Sequence, residues 1–277
     1  MLSAKIRVIK IMKILFLGDI VGKIGRRAIA KIIPELQKEL KPDLIIANGE
    51  NAAHGCGITE KTANEILDAG VDIITGGNHS LDKKEAHDLL SNGKYAKIIL
   101  RPANFPANMP GAGFAAIDAG TKHALIVSLI GRVFAKAEGL LNPFKKLDEI
   151  LEKHEGEKFD AIFVDFHAEA TSEKVAMGRY ADGRVTAVIG THSHIPTADE
   201  KILPGGTAYI TDAGMVGAVD SVLGQSLSVI DAYLTEGPLK MDVVEEGRCG
   251  VNGILIETDP KSFKAKKIKR IYKEIII

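Results

Sequence analysis

Side chains that could bind a metal ion follow five short apolar runs of this sequence. Each run leads, often through a small residue, to carboxylates, amides or imidazoles, and these side chains are Asp19, Glu50, Asn51, Asn78, His79, His167, His192 and His194. Carboxylate and amide oxygens are preferred by hard cations, whereas imidazole nitrogens suit transition metals. The mixture therefore predicts a site for manganese, iron, zinc or a mixed pair of metals.

An ordinary structural explanation competes with metal binding when each residue is taken alone. Asp19 could cap the helix that follows it, because Asp is a preferred N-cap residue. Glu50 and Asn51 could belong to a turn, and so could Asn78 and His79, which follow two glycines. For Asp19, Glu50 and Asn51 the structural explanation is the better one in isolation.

The remaining histidines are harder to explain in this way. His167 could simply end a strand, but His192 and His194 are separated by one residue and share one face of an extended chain. Two charged imidazoles on one face repel each other, whereas two metal ligands suit that spacing. Because five such coincidences together are improbable, a shared metal site is the favoured interpretation.

Alternating strands and helices would position these side chains. The apolar periodicity predicts strands at residues 13–17, 44–47, 71–75, 114–117, 124–129, 161–166, 185–189, 207–211, 250–257 and 264–277. It predicts helices at residues 26–40, 60–69, 83–90, 143–154 and 172–181, and an ordered loop at 101–113. This rhythm indicates a largely parallel sheet with helices on both faces, in one domain of two or three layers. The carboxyl ends of parallel strands lie at one edge, where open α/β folds place their sites.

Composition excludes several classes of protein. The 277 residues contain 36 Lys and Arg against 36 Asp and Glu, with 5% aromatic residues and no Trp, so no stable complex with nucleic acid is expected. No apolar stretch approaches the roughly 20 residues of a membrane-spanning helix, so no membrane association is expected. The two cysteines, Cys56 and Cys249, do not indicate a disulfide, and a reduced cytoplasmic protein is predicted. Cys56 could be a reactive thiol, although a small loop residue is the favoured explanation.

A more specific signal comes from seven segments: GDIVGKIGR, NGENAAHGCGITE, GGNHSLDKKE, RPANFP, DFHAEATSEK, GTHSHIPTAD and GTAYITDAGM. Together they closely resemble the YmdB-like branch of the calcineurin-like metallophosphoesterases, from about Met12 to the C-terminus. The resemblance implies an α/β fold, a calcineurin-like metallophosphoesterase sandwich of two mixed β-sheets flanked by helices. Residues 12–277 are expected to form a single domain of this type, and residues 1–11 an N-terminal extension.

The resemblance also implies roles for the candidate residues. The seven implied metal ligands are Asp19 and His194 for one ion, Asn78, His167 and His192 for the other, Glu50 as the bridge between them, and Asn51 as a further ligand. His79 would be the catalytic histidine, which contacts the phosphate and protonates the leaving oxygen. The wider superfamily begins with D-x-H, whereas here Asp19 is followed by Ile20 and Val21, and it has an acidic residue in place of Ser80. These departures are those of the YmdB-like branch.

The leading functional hypothesis is a dinuclear metal-dependent phosphodiesterase that hydrolyses cyclic nucleotides with a metal-activated water. The resemblance implies substrates of the 2′,3′-cyclic AMP type, with 3′,5′-cyclic AMP as a further candidate, and a homo-oligomeric assembly. Two divalent or trivalent ions are expected, with iron or manganese favoured over zinc or magnesium. The alternatives are a phosphomonoesterase, phosphoprotein phosphatase or nuclease on the same site, or a regulatory nucleotide-binding protein whose hydrolysis is incidental.

Overall fold

The structure is a computed structural model that describes residues 11–135, 139–238 and 242–277. The first part of the chain forms β1 (Lys13–Leu17), β2 (Asp19–Ile20), α1 (Gly22–Leu40), β3 (Leu44–Asn48), α2 (Glu60–Asp68), β4 (Ile73–Thr75), α3 (Lys84–Ser91) and β5 (Ile99–Leu100). The middle forms β6 (Phe114–Ala119), β7 (Lys122–Ile130), α4 (Pro143–Lys153), β8 (Ala161–His167), α5 (Thr171–Tyr180) and β9 (Ala187–Thr191). The last part forms β10 (Lys201–Ile202), β11 (Ala208–Ile210), β12 (Met215–Ala218), α6 (Val229–Thr235), β13 (Arg248–Thr258) and β14 (Ala265–Ile276).

The described strands form two mixed sheets. The first has the order β2-β12-β13-β1-β3-β4-β5, with β14 paired to β13, and the second has the order β10-β11-β9-β8-β7-β6. Neighbours from β1 to β5 are parallel, as are β7, β8, β9 and β11. The strand β13 runs antiparallel to β1, β12 and β14. Each sheet therefore has a parallel centre, whose strands all end at the same edge.

Three apolar clusters hold the layers together. The cluster between the two sheets is built from strand residues, and its ring pair Phe16 and Phe163 has centroids 5.2 Å apart. A second cluster packs α1 to α3 against the first sheet, and a third packs α4 and α5 against the second sheet. The order is therefore helices, sheet, sheet, helices, which confirms the two-sheet sandwich and replaces the two or three layers expected from periodicity.

Local sequence accounts for most element boundaries. Thr59 caps α2 through a capping box with Thr62, and Asn142 caps α4 by accepting the amide protons of Phe144 and Lys145. The helix α1 begins at Gly22, four residues before the predicted start. The strand β9 ends at Thr191 rather than at 189, so it reaches the residue that precedes His192.

Several short elements were not predicted, namely β2, β5, β10, β12 and α6. These elements are two to seven residues long, which is too short for periodicity to reveal a helix or a strand. The predicted extension at residues 1–11 lies outside the described residues except for Ile11 and stays a prediction, as does the single domain over 12–277. Among the described residues, no helix combines the length and apolar character needed to cross a lipid bilayer.

Candidate metal centre

The predicted site residues meet where the carboxyl ends of both sheets face each other. Asp19 lies in β2 of the first sheet, and Glu50 and Asn78 follow β3 and β4 of the same sheet. His167 is the last residue of β8 in the second sheet, and His192 follows β9. Contacts connect all eight predicted residues into one group, so the site lies between two sheets rather than along the edge of one.

Four potential ligand atoms converge on one point beside His167. Its Nε2 lies 3.1 Å from Oε1 of Glu50, 2.9 Å from Oδ1 of Asn78 and 3.0 Å from Nδ1 of His192. One ligand atom each from Glu50, His167 and His192 lies within 4.8 Å of the other two. A single proton cannot bond to this many acceptors at once, whereas a metal ion coordinates several lone pairs.

Each of three histidines has one ring nitrogen bound by an oxygen on the side away from this point. Nδ1 of His167 contacts Thr191 Oγ1 at 3.0 Å, Nε2 of His192 contacts Glu169 Oε2 at 2.6 Å, and Nδ1 of His194 contacts the Leu223 carbonyl at 3.1 Å. Carbonyl and carboxylate oxygens can only accept, so in neutral rings these contacts place the proton on the outer nitrogen. The inner nitrogen is then unprotonated and carries a lone pair, as in metal-binding histidines.

Asp19, Asn51 and His194 form the second half of the group. The Asn51 side-chain amide lies 3.2 Å from Oε1 of Glu50 and 3.1 Å from Nε2 of His194, so it links the two halves. Asp19 is fully buried, and its Oδ2 accepts the amide proton of His192. Its Oδ1 is buried without a hydrogen-bond partner, and burial raises the pKa of Asp19. An unpartnered buried carboxylate oxygen is costly, and a cation would satisfy it.

Asp19 therefore does not act as the helix cap that its sequence position allowed. Val21 occupies the N-cap of α1, and no side chain makes a capping hydrogen bond there. The Asp19 carboxylate points to the site instead, where His167 Nδ1 lies 3.8 Å from Oδ1.

A network of buried hydrogen bonds around Asp165 fixes the positions of these residues. Asp165 accepts hydrogen bonds from Thr191 Oγ1 at 2.7 Å, Thr75 Oγ1 at 2.5 Å and Asn48 Nδ2 at 2.9 Å. Burial raises the pKa of Asp165 to about 6, against the effect of these donors. Because Thr191 donates to Asp165, its oxygen is left to accept from His167 Nδ1, which fixes the orientation of that ring. We call Asp19, Glu50, Asp165 and His167 the floor of the site.

Charge is concentrated in this floor. Burial opposes ionisation, but the positive charge and hydrogen bond of His167 lower the pKa of Glu50 to about 2. Burial also opposes protonation of His167, but Glu50 and Asp19 raise its pKa to about 9. The neighbouring His192 shows the opposite direction, because burial and the charge of His167 lower its pKa. Glu50 and His167 therefore each favour the charged form of the other.

The backbone has unusual features at Gly77, which lies against Glu50, and at His192 and His194. A Cβ atom at Gly77 would lie 2.3 Å from Oε2 of Glu50, so glycine is required beside this carboxylate. His192 and His194 have φ values of 102° and 65°, in the left-handed region that bulky residues rarely adopt. Such strain persists only where surrounding contacts impose it.

The strained segment is held by a buried ion pair. Asp212 accepts the amide proton of Ser193, between the two histidines, at 3.0 Å. Lys174 lies 2.7 Å from the same carboxylate oxygen, and both side chains are 1% exposed. This pair therefore fixes the position of the backbone that carries His192 and His194.

His79 lies at the more open side of the site. Its amide donates to Glu50 Oε2 at 2.9 Å, and its Nδ1 contacts Asp82 Oδ2 at 2.6 Å. Cys56 lies 3.1 Å from the same Nδ1 and donates to Asp82 at 3.0 Å. Burial and Asp82 raise the pKa of Cys56 to about 12, so the thiol stays protonated and is not a reactive nucleophile. We call His79, Asp82, Glu169, His192 and Phe134 the rim of the site.

Two mixed sheets with a histidine- and carboxylate-rich centre at their joint edge define the metallophosphoesterase fold. The chain belongs to the family described as YmdB-like protein, whose model matches residues 15–271. The resemblance in the sequence motifs is thereby confirmed.

Known relatives agree with this assignment. A protein of Bacillus subtilis strain 168 named 2′,3′-cyclic-nucleotide 2′-phosphodiesterase is 45% identical over 261 residues, covering 94% of this chain and 96% of that protein. The crystal structure of a novel phosphatase from Mycoplasma pneumoniae has a TM-score of 0.87 and 34% identity, covering 96% of this chain and 94% of the other. A hypothetical protein from Thermus thermophilus has a TM-score of 0.86 and 38% identity, covering 95% of this chain and 99% of the other. The chain is accordingly a phosphoric ester hydrolase.

Sequence reasoning missed the residues that support the site. Asp165 gave a signal, since it is a lone carboxylate inside the apolar run IFVDF, and Asp82 follows His79 by one helical turn. Thr191, Glu169 and the Leu223 carbonyl gave none, because their roles depend on distances between separate segments.

Proposed function

We propose that this chain is a metal-dependent phosphodiesterase that hydrolyses 2′,3′-cyclic nucleotides, with 3′,5′-cyclic AMP as a further candidate substrate. The observation that carries the proposal is the set of three imidazoles whose outer nitrogens are bound by oxygens. The inner nitrogen of His167 contacts Glu50, that of His192 contacts His167, and that of His194 contacts Asn51. The name of the Bacillus subtilis relative supports the choice of substrate.

The chemistry of the donor atoms fits two metal ions. Asp19 and His194, with Asn51, would hold one ion, and the unpartnered Oδ1 of Asp19 supports this assignment. The second ion would be held by the donor atoms gathered around His167 Nε2, which come from Asn78, His192 and His167 itself. Glu50 would bridge the two ions. Iron and manganese suit this mixture of oxygen and imidazole ligands. When bound, the ions would activate water and neutralise charge on the phosphate.

His79 would act on the leaving oxygen. Because Asp82 binds Nδ1, the free nitrogen of His79 is Nε2, and the residue lines the pocket beside His167. Hydrolysis adds water across a phosphorus–oxygen bond of the cyclic phosphate. A proton on Nε2 would pass to the ribose oxygen as that bond breaks, and Nε2 would be protonated again by the proton released from the attacking water before the next cycle.

The experiment measures hydrolysis of 2′,3′-cyclic AMP by metal-stripped protein before and after addition of Mn²⁺, with the product identified by chromatography. We expect metal-dependent formation of 3′-AMP. The variant His167→Ala should lose both bound metal and turnover. The matched control is His87→Ala, because His87 is an exposed histidine on α3, and it should keep both.

Two results would contradict the proposal. Protein that carries two metal ions per chain yet hydrolyses neither cyclic nucleotide would overturn it. Faster hydrolysis of a phosphomonoester such as 3′-AMP than of 2′,3′-cyclic AMP would instead assign the site to a phosphomonoesterase.

A further inference from the structure

An exposed aromatic ring lies beside the proposed reaction centre. Phe134 is 81% exposed, the highest value among the large apolar side chains of the described residues. It lines a pocket of about 260 Å³ together with the site residues Asn78, His79, His167 and His192. Leaving a phenylalanine in water forgoes the stabilisation that burial would give.

The segment that carries Phe134 is held in place by buried contacts. Glu173 is buried, and its carboxylate accepts the amide protons of Arg132 at 3.0 Å and Val133 at 3.1 Å. The amide of Gly131 donates to the His167 carbonyl at 2.9 Å, which ties the segment to the site. A Cβ atom at residue 131 would lie 2.4 Å from Glu173 Oε2, so only glycine fits there.

Phe134 itself has a strained backbone. Its φ value is 63°, in the left-handed region where bulky aromatic residues are rare. Strain of this kind costs free energy and concentrates at ligand-binding positions. The protein thus exposes the Phe134 ring to solvent although both its backbone conformation and its exposure are unfavourable.

The pocket is lined by both polar and apolar residues. The polar ones are the three histidines, Asn78 and Glu169, and the apolar ones include Ile130, Val133, Phe134 and Ala168. Its volume is just below the roughly 300 Å³ at the lower end of small-molecule sites, so a nucleotide would not be enclosed completely. A ligand with a phosphate at one end and a flat apolar group at the other matches this mixed lining.

We infer that Phe134 stacks on the base of the nucleotide substrate and makes the site selective for nucleotides over cyclic phosphodiesters that lack a base. This inference rests on the proposed function. Stacking on an aromatic side chain tolerates every base, because each base has a π-face. Phe134 therefore selects for the presence of a base and only weakly for its identity.

The test compares 2′,3′-cyclic AMP with glycerol 1,2-cyclic phosphate, which has the same five-membered phosphate ring and no base. For Phe134→Ala we expect KM for 2′,3′-cyclic AMP to rise about 5- to 100-fold, from the general strength of base stacking. KM for the glycerol compound and kcat for both should stay within about twofold. Phe134→Trp should retain the wild-type KM, because it keeps an aromatic face.

Leu234→Ala is the matched control, since Leu234 is 78% exposed on α6 and does not line this pocket. It should leave both KM values unchanged. An unchanged KM for 2′,3′-cyclic AMP in Phe134→Ala, with an active wild type, would overturn this inference alone. Equal increases of KM for the two substrates would also overturn it, because they would show a general effect on the pocket. A metal-loaded wild type that hydrolyses neither substrate would overturn the proposed function and this inference with it.

Discussion

The floor and the rim of the site lie in contact but are built in different ways. His167 in the floor is 1% exposed and has a raised pKa, whereas its neighbour His192 in the rim is partly exposed and has a lowered one. The floor residues are positioned by strand ends and buried hydrogen bonds. The rim residues are positioned by loops, and their partners Glu169 and Asp82 are exposed. Under the proposed function, we expect the floor to govern metal binding together with His192 of the rim, and we expect the rest of the rim to govern proton transfer and substrate choice.

The largest effect is expected for His79→Ala, which should separate turnover from metal binding. His79→Ala should lower kcat for 2′,3′-cyclic AMP by about 10²- to 10⁴-fold, the usual contribution of a general acid. Metal content per chain, measured by elemental analysis, should not change, because the proposed role of His79 is to supply a proton rather than to bind a metal ion. Loss of both metal ions from this variant would show that the division between floor and rim is wrong at this residue.

The next largest effect tests whether the buried Lys174–Asp212 pair stabilises the segment that carries His192. Lys174→Met leaves the Asp212 carboxylate buried without its cation, and such a loss generally costs about 3–5 kcal/mol of unfolding free energy. Urea denaturation measures this difference. The control Lys273→Met removes a surface lysine that pairs with Glu35 and Glu39, and we expect a much smaller loss of unfolding free energy, because water screens these pairs. Similar losses in the two variants would mean that the buried pair has no special role in holding the histidine segment.

The difference between floor and rim also explains which site residues the sequence could predict. Asp19, Glu50, Asn78 and His167 were predicted because each follows an apolar strand, and parallel strands end at a common edge. Periodicity could not predict that this edge belongs to two sheets, since both sheets produce the same alternation of strands and helices. The rim was predicted less well. The exposed ring of Phe134 and the pairing of His79 with Asp82 depend on loop conformation, for which the sequence has no repeating pattern.

A smaller effect concerns the support beneath the floor. Thr191→Val removes the hydroxyl that connects Asp165 to Nδ1 of His167. Loss of a partner behind a metal-binding histidine typically weakens metal affinity by about 10- to 100-fold, which a Mn²⁺ titration of the stripped protein would measure. Thr186→Val is the matched control, because Thr186 is equally buried and bonds to the backbone of Ile162 near the start of β9. It should lower stability without changing metal affinity, and equal affinities in the two variants would contradict the role of Thr191.

The smallest effect is expected for Asp82, which orients His79 from the rim. Its carboxylate is 44% exposed, so the contact with Nδ1 is screened by water, and its contribution is about 1 kcal/mol or less. Asp82→Asn should therefore lower kcat by no more than roughly fivefold, with KM and metal content unchanged, and Asp82→Glu should recover part of the loss. The control Asp88→Asn changes an exposed aspartate on α3, away from His79, and should have no effect. A loss for Asp82→Asn as large as that for His79→Ala would show that the rim is as tightly organised as the floor, because an exposed carboxylate could have such an effect only if substrate binding excluded water from it.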